Sequence, residues 1–122
     1  MIVQILIGAG ALGGLIGVGL AAAAAHAPGG PQAEVAARFL LAHAPVFLAL
    51  AALIGAELVS PRVGGLAAFA LLVGLVLFAG DLTLRAFKGI ALFPMAAPAG
   101  GIALMLGWAL LLVAAFLPRP SA

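Results

Sequence analysis

The stretch IVQILIGAGALGGLIGVGLAAAAA, from Ile2 to Ala25, decides the fold. It runs for 24 residues with Gln4 as its one strongly polar side chain. A helix needs about 20 predominantly apolar residues to cross the hydrocarbon of a bilayer. Backbone amides find no water there, and a helix is the structure in which one segment satisfies its own amides. The stretch therefore predicts a first membrane helix over residues 2–25. The small residues from Ala21 to Ala27 would also suit a signal-peptide cleavage site, but a signal peptide carries a basic region ahead of its apolar run. Only the terminal amine precedes Ile2, so the segment reads as a retained span.

Three further segments repeat the pattern. Pro28-Gly29-Gly30-Pro31 breaks the first helix, since two prolines and two glycines do not continue one. A second helix is expected over 33–59, uncharged from Phe39 to Ala56 apart from His43, with Pro45 inside it and Ser60-Pro61 ending it. A third is expected over 63–86, uncharged through Gly80 and polar at Asp81, Thr83, Arg85 and Lys88. The fourth is expected over 94–117, with Pro94 in its first turn, where a missing amide proton is harmless, and Pro118-Arg119-Pro120 closing it. The 122 residues thus read as a single membrane domain, all-α, an up-and-down bundle of four transmembrane helices.

Composition excludes the common soluble classes. At 67% hydrophobic and 7% charged residues, the chain lies far from the globular balance of about a quarter charged. Five basic and three acidic residues leave a net charge of +2, with no Lys/Arg stripe for nucleic acid. No cysteine is present, which removes disulfides, thiol nucleophiles and thiolate metal sites. Ser60, Thr83 and Ser121 are the only hydroxyls, and none stands in a spacing with His and an acid that suggests a nucleophilic triad. The glycines lie in apolar helices rather than in phosphate loops. No enzyme activity and no cofactor are expected.

Small residues carry the packing signals. Ala9, Gly13, Gly17, Ala21 and Ala25 stand at four-residue spacing, with Gly10 and Gly14 beside them. Lipid gives helices no hydrophobic drive to pair, so association rests on close backbone approach, which small residues permit. Helix one is therefore expected at the packed centre of the bundle, with intramolecular packing weighed above a dimerisation face. Helix four repeats the pattern with Ala96, Gly100, Gly101, Ala103 and Gly107. Trp108 falls well inside its span, away from the interfacial belt where tryptophan concentrates, and reads as a packing or lipid-facing residue.

The polar residues fall together. His26 ends helix one, Glu34, Arg38 and His43 open helix two, and Asp81, Arg85 and Lys88 close helix three. In an up-and-down bundle those ends share one membrane face, bringing five of the eight charged residues and both histidines there. Asp81 and Arg85 stand at i and i+4, with the acid on the preferred N-terminal side. Two readings of this cluster, His26, Arg38, His43, Asp81 and Arg85, stand open. It is a set of structural ion pairs and hydrogen bonds, or it is a proton, ion or headgroup site, since ionisable groups in a membrane mark function by default. The histidines and Asp81 show no tight ligand spacing, so no metal site is expected.

Several of these residues also carry a resemblance. Pro98-Ala99-Gly100-Gly101 followed by Gly107-Trp108, the Gly19 to His26 run, Phe39 to His43, and Leu77-Phe78-Ala79-Gly80 together resemble the domain of unknown function 423 family of small bacterial inner-membrane proteins. That family is distantly similar to transmembrane protein 256 of animals. The resemblance implies a four-helix protein of the bacterial inner membrane with both termini cytoplasmic. Ala97 departs from the threonine usual in the family, and Asp81 from its common serine. Loop charges do not choose an orientation, because Arg62 and Arg119 lie with the termini while Arg38, Arg85 and Lys88 lie opposite.

The reading that follows is a non-enzymatic membrane protein with a structural, assembly or lipid-interacting role, whose partners are membrane lipids, a second copy of the chain or another membrane protein. The alternative is a small transporter or channel that uses the polar cluster at one membrane face.

Overall fold

The computed structural model describes residues 1–26 and 30–120 and consists of four helices: α1 Ile2–His26, α2 Gly30–Gly55, α3 Pro61–Lys88 and α4 Ala96–Ala114. All four are long and apolar enough to cross a membrane. Large apolar side chains on their outer faces, among them Leu15, Leu66, Phe69, Met105 and Leu112, stand exposed as a lipid-facing surface requires. This is a multi-pass membrane protein.

Helix ends differ from the sequence expectation for local reasons. The break expected at Pro28-Gly29-Gly30-Pro31 lies partly outside the described residues, and α2 already includes Gly30 and Pro31, because proline in a first turn costs no helical hydrogen bond. α2 stops at Gly55, four residues before Val59, in a Schellman turn. There Glu57 N–H donates to Ile54 O at 3.1 Å and Leu58 N–H to Leu53 O at 2.9 Å, while Glu57 takes the left-handed φ of 58° usually given to glycine. α3 opens two residues early, at Pro61, because Ser60 caps it: its hydroxyl accepts from Val63 N–H at 3.3 Å. Gly89, at φ 67°, closes it. α4 is shorter than expected at both ends. Pro94 belongs to the preceding loop, and beyond Ala114 the last turn tightens to i→i−3 bonds from Phe116 to Val113 and from Leu117 to Ala114.

The helices pack antiparallel in chain order. α1 lies on α2, α2 on α3 and α3 on α4, while α1 meets α3 only narrowly and α4 makes no close backbone approach to α1 or α2. Phe47 and Leu50 of α2 and Leu71 and Leu75 of α3 form the buried centre. Helix one is therefore not the centre of the bundle, contrary to the expectation from its glycines: 22% of its apolar window is buried against 39% for α2 and α3. Its small residues serve a contact with a single neighbour. The buried line on α1 is Leu6, Gly10, Gly13, Gly17 and Leu20. A strict four-residue row drifts about 40° per step around a helix of 3.6 residues per turn. Alternating steps of four and three hold one face instead, so Ala9 and Ala21 are half-buried and Ala25 is exposed.

The closest approach is between α3 and α4. A Cβ at Gly100 would lie 2.6 Å from the Phe78 amide nitrogen and 2.8 Å from the Gly74 carbonyl oxygen, and one at Gly74 would lie 2.7 Å from the Gly100 oxygen. Gly107 is seated on Leu71 in the same way, whereas Gly101, adjacent to Gly100, faces open space. Gly100→Ala should force the helices apart and cost about 1–3 kcal/mol. Gly101→Ala should be neutral or stabilising by up to roughly 1 kcal/mol. Unfolding of both variants in mixed micelles checks this, and equal losses would show that the α3–α4 approach is not tight.

Candidate functional site

The polar residues at the cluster face do not form one site; they divide among three sets of partners. Asp81, in the penultimate turns of α3, is fully buried. Its Oδ2 accepts from Arg85 Nε at 2.7 Å, the i, i+4 pair expected from the spacing, and its Oδ1 accepts from the backbone N–H of Leu92 at 2.8 Å. Leu92 belongs to the α3–α4 connection, Gly89 to Met95. That segment leaves helical geometry among exposed apolar side chains, Ile90, Leu92, Phe93 and Met95. Within an apolar surrounding an amide outside a helix needs a partner, and Asp81 supplies one. The carboxylate thus ties the loop back onto α3 while Arg85, about half exposed, balances its charge.

His43 is buried one helix away, on α2. Its Nδ1 meets the Phe39 carbonyl oxygen at 2.8 Å, and its Nε2 meets Trp108 Nε1 of α4 at 3.2 Å. The indole N–H only donates and the carbonyl only accepts. The two bonds therefore require the tautomer with its proton on Nδ1 and a lone pair on Nε2 pointing at the indole. Phe39 stacks on the imidazole with ring centroids 5.9 Å apart, and Phe39 in turn meets Phe78 of α3 at 4.3 Å. His43 thus ties α2 to α4 through the indole.

Arg38 pairs with Glu34 on the exposed first turns of α2, and His26 stands exposed on the last turn of α1. Among the described residues no hydrogen bond joins His43 to Asp81, and no group of three or more His, Asp or Glu could hold a metal ion. No buried side-chain nitrogen or oxygen lacks a partner among the described residues. Of the packing residues named from the sequence, Gly13, Gly17, Gly100 and Gly107 lie at helix contacts, Gly101 lines a cavity, and Trp108 adds a hydrogen bond.

Two partners escaped the sequence reading, the Leu92 amide and the Trp108 indole. The tryptophan had a visible signal in its position deep within a span. The amide had none, since any loop residue offers one.

A third feature lies between α2 and α4. Their backbones stay apart, and the gap holds two cavities separated by the His43–Trp108 bond. The one toward the cluster face, about 350 Å³, has Phe39, Phe78, Pro98 and Gly101 in its walls. The other, about 560 Å³, runs from Trp108 to Arg119.

Against known protein families, residues 20–101 match the model described as protein of unknown function, DUF423. The match spans roughly two thirds of the chain, from the last turns of α1 through α2 and α3 into α4. The chain belongs to the DUF423 family. No curated protein and no solved structure matches it. The DUF423 match takes in Pro98-Ala99-Gly100-Gly101 and ends before Gly107-Trp108, so the tryptophan that holds His43 lies beyond the matched residues.

Asp81→Ala should leave the Leu92 amide without an acceptor and loosen the Gly89 to Met95 loop by about 1–2 kcal/mol. Asp81→Asn keeps an acceptor oxygen and should lose less. Hydrogen exchange at the Leu92 amide separates them: exchange unchanged in the alanine variant would refute the tie.

Proposed function

We propose that this DUF423 protein is a non-enzymatic component of the bacterial inner membrane, with both termini cytoplasmic and a structural, assembly or lipid-interacting role. The observation that carries the reading is the internal use of both buried polar side chains. Asp81 is occupied by Arg85 and a loop amide, and His43 by Trp108 and its own helix. Intramembrane polar groups in transporters line a path and exchange partners with what moves along it. Here the two sit apart, each matched to a structural neighbour, which favours architecture over translocation.

Further support comes from the surface. Small residues bring α1 to α2 and α3 to α4 at backbone distance, a mode of association suited to membranes. The outer faces carry large exposed apolar side chains and fit lipid, a second copy of this chain or another membrane protein as partners. The inner-membrane location and cytoplasmic termini rest on the family resemblance, and the even number of spans keeps both termini on one face.

Purified protein in liposomes is expected to give no proton, divalent-cation or anion flux above that of empty vesicles. Flux that disappears in Asp81→Asn would overturn the reading and place the carboxylate on a conduction path.

A further inference from the structure

We propose that the crevice between α2 and α4 on the side of the chain termini binds one anionic phospholipid, its phosphate at Arg119 and one acyl chain running inward to Trp108. This rests on the lipid-interacting part of the reading above and gives it a site and a ligand class.

The crevice exists because α4 is held to α3 by glycines but to α2 by a side-chain bridge. Gly74, Gly100 and Gly107 seat α4 against α3 at backbone distance. No comparable approach links α4 to α2, where the indole of Trp108 reaches across to His43. Below that bridge about 560 Å³ stays open, walled by Val46, Leu50 and Leu53 of α2 and by Leu111 and Ala114 of α4. Apart from Trp108, whose indole is held by His43, and Arg119 at the outer end, the side chains that wall it are apolar. The surrounding solvent is hydrocarbon, so a lipid chain is the natural filler.

Length and charge set the kind of lipid. From Trp108 to Leu117 the chain rises about 14 Å at helical pitch, close to the roughly 15 Å depth of one leaflet of a bilayer whose hydrocarbon is about 30 Å thick. The inner end is closed at mid-membrane by the indole and imidazole, and the outer end carries Arg119 in its wall. The ion pairs among the described residues are Arg38–Glu34 and Arg85–Asp81, and neither engages Arg119. A guanidinium at headgroup depth suits a phosphate oxygen pair, forming charge-assisted bonds.

Trp108 is the sole tryptophan of the chain and stands at the wall between the two cavities, so its fluorescence reports on lipid at either, and filling the slot isolates the slot's share. The full chain is reconstituted in phosphatidylcholine vesicles containing increasing fractions of phosphatidylglycerol brominated at the acyl-chain end. Quenching should saturate, at a mole fraction about fivefold lower than with phosphatidylcholine carrying the same bromines, the preference one arginine near an anionic surface confers. Arg119→Gln alters an exposed residue outside the helices and should erase the headgroup preference while leaving quenching itself. Ala114→Phe should fill the slot and abolish the saturable component for both lipids. Equal quenching by the two lipids, a linear dependence on mole fraction, or unchanged preference in Arg119→Gln would overturn the site. So would quenching that weakens as protein density in the vesicles rises, which would mean a second copy occupies the slot. None of these results bears on the liposome flux, so the site and the non-transporting reading stand or fall separately.

Discussion

Backbone amides inside hydrocarbon have no solvent to turn to, and the rest of this molecule is arranged around that constraint. Four spans close their hydrogen bonds internally, as helices. Where the backbone must leave helical geometry, a specific device meets the amide or carbonyl it exposes. Ser60 accepts from the start of α3, the left-handed Glu57 and Gly89 turn the ends of α2 and α3, and Asp81 reaches into the α3–α4 loop for Leu92. The one fully buried carboxylate of the chain is thus explained by a backbone need. Its charge is the cost of a strong acceptor, and Arg85 at i+4 offsets that charge without a second helix having to contribute.

With helices already satisfied, lipid supplies no hydrophobic force to gather them, and contact depends on how near two backbones can come. Glycine decides this at Gly10 and Gly17 against α2 and at Gly74, Gly100 and Gly107 between α3 and α4. Where no glycine meets a neighbouring backbone, as between α4 and α2, the helices stand off and a tryptophan spans the space. Tight and loose contacts thus alternate around the bundle, and the loose one leaves a slot that opens toward lipid.

The sequence made much of this legible. Apolar runs longer than a bilayer is thick fixed the four spans, prolines and glycines fixed the breaks to within a few residues, and the spacing of Asp81 and Arg85 announced their ion pair. These are local signals, and local signals survive in a single chain. Lateral order was not legible. Helix one carries the most conspicuous row of small residues yet lies at the flank, because such a row says that a helix packs closely without saying against how many neighbours. The partners of His43 and Asp81 were hidden for a related reason. Trp108 is 65 residues from His43 and Leu92 is 11 from Asp81, beyond any helical spacing that links sequence to contact. Charges gathered at one face suggested a shared site, but proximity to a membrane face is a weaker statement than contact, and the bonds distribute those charges among separate tasks.

The order of contacts along the chain has a consequence for how the protein is made. α1 pairs with α2 and α3 pairs with α4, while α1 and α4 do not meet. Each hairpin can therefore complete its main interface as it emerges from the ribosome, without waiting for distant sequence, and the low separation of its contacts favours rapid assembly. The molecule is in effect two hairpins joined at the Glu57 turn, and the α3–α4 interface, the last to be synthesised, is the one with the closest backbone approach.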